Sequence, residues 1–109
     1  MPNLLLIRGL PGSGKSTYAK ELIEKYPNTV LFEADDYFTD LEGNYHYNPT
    51  EVKFAHQLCK LNCRKAMTHG LNVIIANTFI QKWEMQDYLN LSIEFDYTFE
   101  TQIMRNNHG

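Results

Sequence analysis

Gly9-Leu10-Pro11-Gly12-Ser13-Gly14-Lys15-Ser16-Thr17 decides how the rest of the chain reads. It fits the spacing Gly-x4-Gly-Lys-[Ser/Thr] of a phosphate-binding loop. The flanks agree. Leu4-Leu5-Leu6-Ile7-Arg8 before it reads as a buried strand, and Thr17 to Tyr26 after it reads as a helix with a Tyr18, Leu22, Ile23, Tyr26 stripe. Glycines let the backbone curl so that successive N–H groups face one centre. Those donors, with the positive end of the following helix, make an anion hole. With glycine at about 7% of residues, a chance match in so short a chain is roughly a one per cent event. The loop residues Gly9, Pro11, Gly12, Ser13, Gly14, Lys15, Ser16 and Thr17 are therefore the expected nucleotide contacts. Lys15 is placed for the β- and γ-phosphates and Ser16 for Mg²⁺, so ATP with Mg²⁺ is the expected ligand.

The remaining chain is read outward from this loop. At 109 residues it reads as one domain spanning 1–109. A net charge of −3 argues against strong non-specific binding to duplex nucleic acid and leaves room for a local basic groove. No run of 18 apolar residues suggests a membrane span, and the apolar N-terminal run leads straight into the loop, as a core strand does. Cys59 and Cys63, the two cysteines, are spaced i, i+4 and read as small core residues of one helix face. Reduced thiols beside a nucleotide motif point to an intracellular, cytoplasmic setting. His46, His56 and His69 share no metal-ligand spacing.

Four strands are expected: Leu4 to Arg8, Thr29 to Ala34, Leu71 to Ala76 and Ser92 to Phe99. Helices are expected between them. One opens at Asn48-Pro49-Thr50-Glu51, carries Val52, Ala55, Cys59, Cys63 and Ala66 inward, and is capped at Gly70. Another runs from about Gln81 to Leu89, and a short helical segment covers Glu100 to Asn107. This alternation predicts an α/β, three-layer phosphate-loop fold with a small, mostly parallel sheet. Ligands in such sheets bind at the carboxyl ends of the strands.

Those ends carry the remaining candidates. Asp35-Asp36 follows the second strand. Asp35 is placed to take the proton of an incoming hydroxyl, and Asp36 either contacts Mg²⁺ through water or caps the next segment. Asn77 follows the third strand, where a Mg²⁺-side carboxylate is common. It is read either as an amide facing a metal-bound water or as a structural tie to a neighbouring loop. Arg105 stands beyond the fourth strand and could stabilise charge on a transferring phosphoryl group. Trp83 is expected to pack beneath the sheet. Tyr45 and Tyr47 line an acceptor groove or pack a turn.

These residues together resemble the polynucleotide-kinase-like P-loop kinases of the AAA-domain and zeta-toxin-type group. The group includes bacteriophage-type polynucleotide kinase and the kinase-like domain of some ubiquitin-ligase-binding proteins. The resemblance runs from Arg8-to-Thr17 through Ala34-to-Phe38, Tyr45-to-Pro49, Ala55-His56, Val73-to-Ile75, Asn77-Thr78 and Trp83-to-Met85 to Arg105-Asn106 and His108-Gly109. It implies γ-phosphoryl transfer from ATP to a hydroxyl, the best-known acceptor being a 5′-hydroxyl of single-stranded nucleic acid; a small nucleoside is a further candidate. Asp35 would be the general base, Lys15 and Ser16 the phosphate and Mg²⁺ contacts, and Arg105 the lid arginine. Phe38 stands where the phage enzyme has an arginine, Asn77 where an aspartate is usual, and Phe79 where an asparagine follows Thr78. The lid reads as truncated. A nucleotide-binding module acting through a protein partner, and a simple NTPase, are the alternative readings.

Overall fold

The computed structural model describes residues 2–9, 14–77 and 82–104; within these, the side chains of Ser16, Asp35 and Asp36 are not described. The chain order is β1 (Asn3–Arg8), α1 (Lys15–Lys25), β2 (Thr29–Phe32), a 3₁₀ turn (Ala34–Phe38), a second 3₁₀ turn (Pro49–Glu51), α2 (Val52–Thr68), β3 (Asn72–Asn77), α3 (Lys82–Phe95) and β4 (Thr98–Ile103). All four strands are parallel, in the order β2-β3-β1-β4. The two inner strands are the apolar runs. Leu4, Leu6 and Ile7 of β1 and Val73, Ile74, Ile75 and Ala76 of β3 are buried, as strands covered on both faces must be.

Side-chain alternation sends these residues to two separate cores. Leu4, Leu6, Val73 and Ile75 face the α2–α3 layer and meet Ala55, Cys59, Cys63, Tyr88 and Leu91. Ile7, Ile74 and Ala76 face α1 and meet Ala19, with Leu22, Ile23 and Met104 closing the margin. The result is three layers: α1, the sheet, and α2 with α3.

The helix boundaries follow local chemistry. Asn48 accepts at Oδ1 from the Thr50 N–H at 3.0 Å, and Pro49 occupies the first position of the turn that runs into α2. At the other end Gly70 is left-handed (φ 71°), the Gly70 N–H donates to Met67 O, and the Leu71 N–H donates to Ala66 O. That is the reciprocal pair of a Schellman stop, as expected for Gly70.

Three expectations are corrected. The stretch Ser92 to Phe99 is not a strand, because Ser92–Phe95 completes α3. Met85, Tyr88, Leu91, Ser92 and Phe95 recur at three and four residues and pack as one helical face. The alternation of Ile93, Phe95, Tyr97 and Phe99 is incidental, since Ile93 is exposed on the outer face. Asp96, left-handed at φ 59°, ends the helix, and the Tyr97 N–H donates to Ser92 O. The fourth strand therefore starts at Thr98, and the first part of the expected Glu100 to Asn107 helix is strand β4. Trp83 does not pack beneath the sheet: it is 57% exposed on the first turn of α3, beside the buried Glu84–Tyr88–Leu91 face.

Candidate functional site

Register places the site. Arg8 is paired with Asn77 on one side and with Ile103 on the other, so three strands end at one edge of the sheet. From β1 the chain goes to α1 on one face. From β3 it goes to α3 on the other. A crevice opens where neighbouring strands send their connections to opposite faces. The phosphate-loop motif leaves β1 at that crevice.

Gly14 sits directly before α1 at φ 92°, a backbone state that side chains avoid. The Tyr18 N–H donates to Gly14 O, which closes the first turn of the helix. The Lys15 ammonium donates to Gly9 O, just past the end of β1, at 2.7 Å. Gly9, Gly14 and Lys15 thus meet at the helix N-terminus, where unpaired N–H groups and the helix dipole favour an anion. Thr17 is exposed on the first turn of α1. Pro11, Gly12 and Ser13 lie outside the described residues, as do Thr78, Phe79, Arg105 and His108. The Met104 N–H, next to Arg105 in the chain, donates to Arg8 O at 2.7 Å.

The Asp35-Asp36 pair rides on the 3₁₀ turn that leaves β2. That turn is tied to the strand edge by Asn77. Asn77 is buried (5% exposed), and its Oδ1 accepts from the Ala34 N–H at 2.8 Å. The bond fixes the amide's orientation and turns Nδ2 away from Ala34. Among the described residues, Nδ2 has no hydrogen-bond partner. The amide thus keeps an unpartnered donor at Nδ2 and a second lone pair on Oδ1.

The turn continues into a loop organised by Asp40. One carboxylate oxygen accepts from the N–H groups of Glu42 and Asn44, each at 2.9 Å, and the other lies 2.9 Å from His46 Nε2. The Asn44 N–H, then His46, hold the Asp40 carboxyl below its ordinary range. The loop carries the Tyr45 and Tyr47 rings against Phe38 at centroid distances of 6.2 and 5.3 Å.

Sequence reasoning missed one pair. His56 of α2 and Glu84 of α3 approach to 2.9 Å, largely buried, although no spacing rule links them. A His in an Ala-His pair on an inward face and a Glu among the inward residues of the next helix are the only hints in the chain. Cys59 and Cys63 are reduced thiols buried in the α2 face, as expected. A groove of about 370 Å³ between α1 and the β1–β4 face lies away from the strand ends and takes no part in this site. Among the described residues no helix is long and apolar enough to cross a membrane.

A parallel sheet with this loop and helix at its central strand defines a P-loop kinase-type fold. The chain belongs to the AAA domain family, whose sequence profile matches residues 4–105. It is 39% identical to human NEDD4-binding protein 2 over 95 residues, 86% of this chain and 5% of that protein. It is 29% identical over 111 residues to a protein of Autographa californica nuclear polyhedrosis virus named for polynucleotide kinase and RNA ligase; that covers 93% of this chain and 16% of the viral protein. Among solved structures, a chain of the Pnkp1/Rnl/Hen1 complex superposes with a TM-score of 0.77 at 26% identity, over 94% of this chain and 35% of that one. This chain thus spans well under half the length of each of these three.

Proposed function

We propose that the chain is an ATP-dependent phosphotransferase of polynucleotide-kinase type, with a nucleic-acid 5′-hydroxyl as the acceptor. One observation carries the reading. The Lys15 ammonium bonds Gly9 O beside the end of β1, and β1 ends next to Asn77, which ties the Asp35-bearing turn. That proximity of backbone elements supports pairing a cation for the phosphates with a carboxylate for the acceptor across one crevice. Phosphoryl transfer asks for little beyond positioning and charge neutralisation.

In this reading Lys15 exchanges Gly9 O for β- and γ-phosphate oxygens, and the loop N–H groups hold the triphosphate. The acceptor oxygen attacks the γ-phosphorus, the bond to the β–γ bridging oxygen breaks, and ADP leaves. The acceptor proton passes to the Asp35 carboxylate and on to water. Arg105 stabilises charge on the moving group. The donor set suits Mg²⁺: the Ser16 hydroxyl, with Asp36 through water, would hold it, and bound there it neutralises phosphate charge. Asn77 acts as the tether of the Asp35-bearing turn, and its second oxygen lone pair would face a metal-bound water.

A second reading, an ATP-binding module acting through a protein partner, is favoured by the same uncharged Asn77 where a carboxylate is common. The test is γ-labelled ATP, Mg²⁺ and 5′-hydroxyl DNA, RNA and nucleosides. Label on an acceptor supports the kinase; ATP binding with no transfer supports the module. With transfer in hand, Asp35→Asn is expected to lower it by roughly 10²-fold or more while ATP affinity stays within a few fold. A variant as fast as the wild type removes Asp35 from the base role.

A further inference from the structure

Tyr45 and Tyr47 are 54% and 56% exposed, yet they are not loose. Their rings lie nearly parallel, 17° apart with centroids at 6.3 Å. Behind them Phe38 is buried and meets both rings edge-on or tilted. The backbone beneath is fixed by the Asp40 carboxylate, by the His46 N–H donating to Phe38 O at 2.7 Å, and by an antiparallel bridge between Thr39 and Tyr45. Phe38 already supplies the apolar contact the turn needs. The two tyrosine rings stack on each other and stay about half exposed.

The segment of chain that carries them is one-sided in formal charge. Between Lys25 and Lys53 the chain has no lysine or arginine, and it has Glu33, Asp35, Asp36, Asp40, Glu42 and Glu51. No lysine or arginine on this segment can follow a phosphate backbone, and the His46 ring is held against Asp40. Phe38, the inner contact of both tyrosines, ends the same five-residue 3₁₀ turn that carries Asp35. Three residues of such a turn advance about 6 Å.

We propose that Tyr45 and Tyr47 form a stacking platform for the first base of the acceptor, which is recognised by its ring rather than by its phosphates. This deepens the phosphotransferase reading and rests on it for the word acceptor. The platform sets a consequence for substrate class. A mononucleoside or a dinucleotide with a free 5′-hydroxyl binds nearly as well as a long strand, and salt matters little. A groove tracking six or more phosphates loses about 10³-fold or more between 50 and 200 mM salt.

The experiment uses 5′-hydroxyl DNA whose first base is 2-aminopurine, which is quenched when it stacks. Titrations compare nucleoside, dinucleotide and 12-mer at 50 and 200 mM salt. A strand with an abasic first position serves as competitor. Calorimetry with ATP–Mg²⁺ is run beside them. Quenching is expected with all three lengths, within about tenfold of one another and across the salt range. Tyr45→Leu and Tyr47→Leu each weaken it by about five- to a hundredfold, the worth of a stacked base, while Tyr45→Phe and Tyr47→Phe stay near wild type. ATP affinity does not change in any of them. The platform is overturned if the abasic strand competes equally, if the leucine variants bind like wild type, or if no quenching occurs while ATP still binds. Should a leucine variant fail to melt cooperatively, the abasic competitor and the phenylalanine variants decide. Base binding with no label transfer would sink the kinase reading and leave the platform standing.

Discussion

Asn77 shows how one amide can join two parts of a site. Its Oδ1 holds the Ala34 N–H, its burial is nearly complete, and its Nδ2 is the group left over. An aspartate at this position could still accept from Ala34, but it would bury a charge where a donor stood. Asn77→Asp is therefore expected to lower the melting temperature by several degrees in EDTA, in line with the roughly 1–3 kcal/mol lost when a buried polar group is mismatched. Thermal melts check this; a variant more stable than wild type without metal would show that a carboxylate belongs there. Lys15 gives the opposite case. Its ammonium donates to the Gly9 carbonyl at the start of the loop. Lys15→Ala should melt within a degree or two of wild type yet bind ATP–Mg²⁺ at least tenfold more weakly, since hydrogen bonds to charged groups are worth about 1.5–3 kcal/mol each. Calorimetric titration measures it, and unchanged affinity would remove Lys15 from the phosphates.

At the scale of elements, α2 is placed by its ends. Asn48 caps the turn that launches it, accepting from both the N–H and the hydroxyl of Thr50. Asn48→Ala is expected to cost about 1 kcal/mol, read as a shift in the denaturation midpoint at unchanged slope. Asn48→Asp should recover most of it, and an alanine variant as stable as wild type would mean the cap is idle. These signals were legible in the chain because caps act within three or four residues. The α3–β4 junction was not. Its decisive contacts join Tyr97 Oη to Leu71 O at 2.7 Å and the Thr98 N–H to Pro2 O, across long sequence separations. Local alternation at Ile93, Phe95, Tyr97 and Phe99 could not report them. The candidate site divides in the same way. The phosphate loop is readable because its residues are contiguous. The Asn77 tether and the His56–Glu84 contact are not, because each exists only once separate elements have packed.

Across the whole molecule, the two cores share the inner strands, so opening one disturbs the other. Cys63 lies at the centre of the α2–α3 core with Leu4, Leu6 and Tyr88. Burial, then the neighbouring Cys59, pushes its thiol from 9.0 up to about 12. Both folded and unfolded thiols keep their protons below about pH 9. Between 9 and about 12 only the unfolded one ionises, so this group's contribution to stability falls as the solution is made alkaline. At pH 8 the native thiol is neither ionised nor reachable, and alkylation must wait for an opening. An opening that parts α2 from the inner strands disturbs the strand ends, and with them the proposed ATP site. ATP–Mg²⁺ at a hundred times its dissociation constant stabilises the closed form by about 2.7 kcal/mol, which should slow iodoacetamide labelling of Cys63 about a hundredfold. Mass spectrometry of the Cys63 peptide follows the rate, and the melting temperature reports occupancy. A raised melting temperature with unchanged labelling would mean that α2 and α3 open on their own and that the two cores are not one cooperative unit.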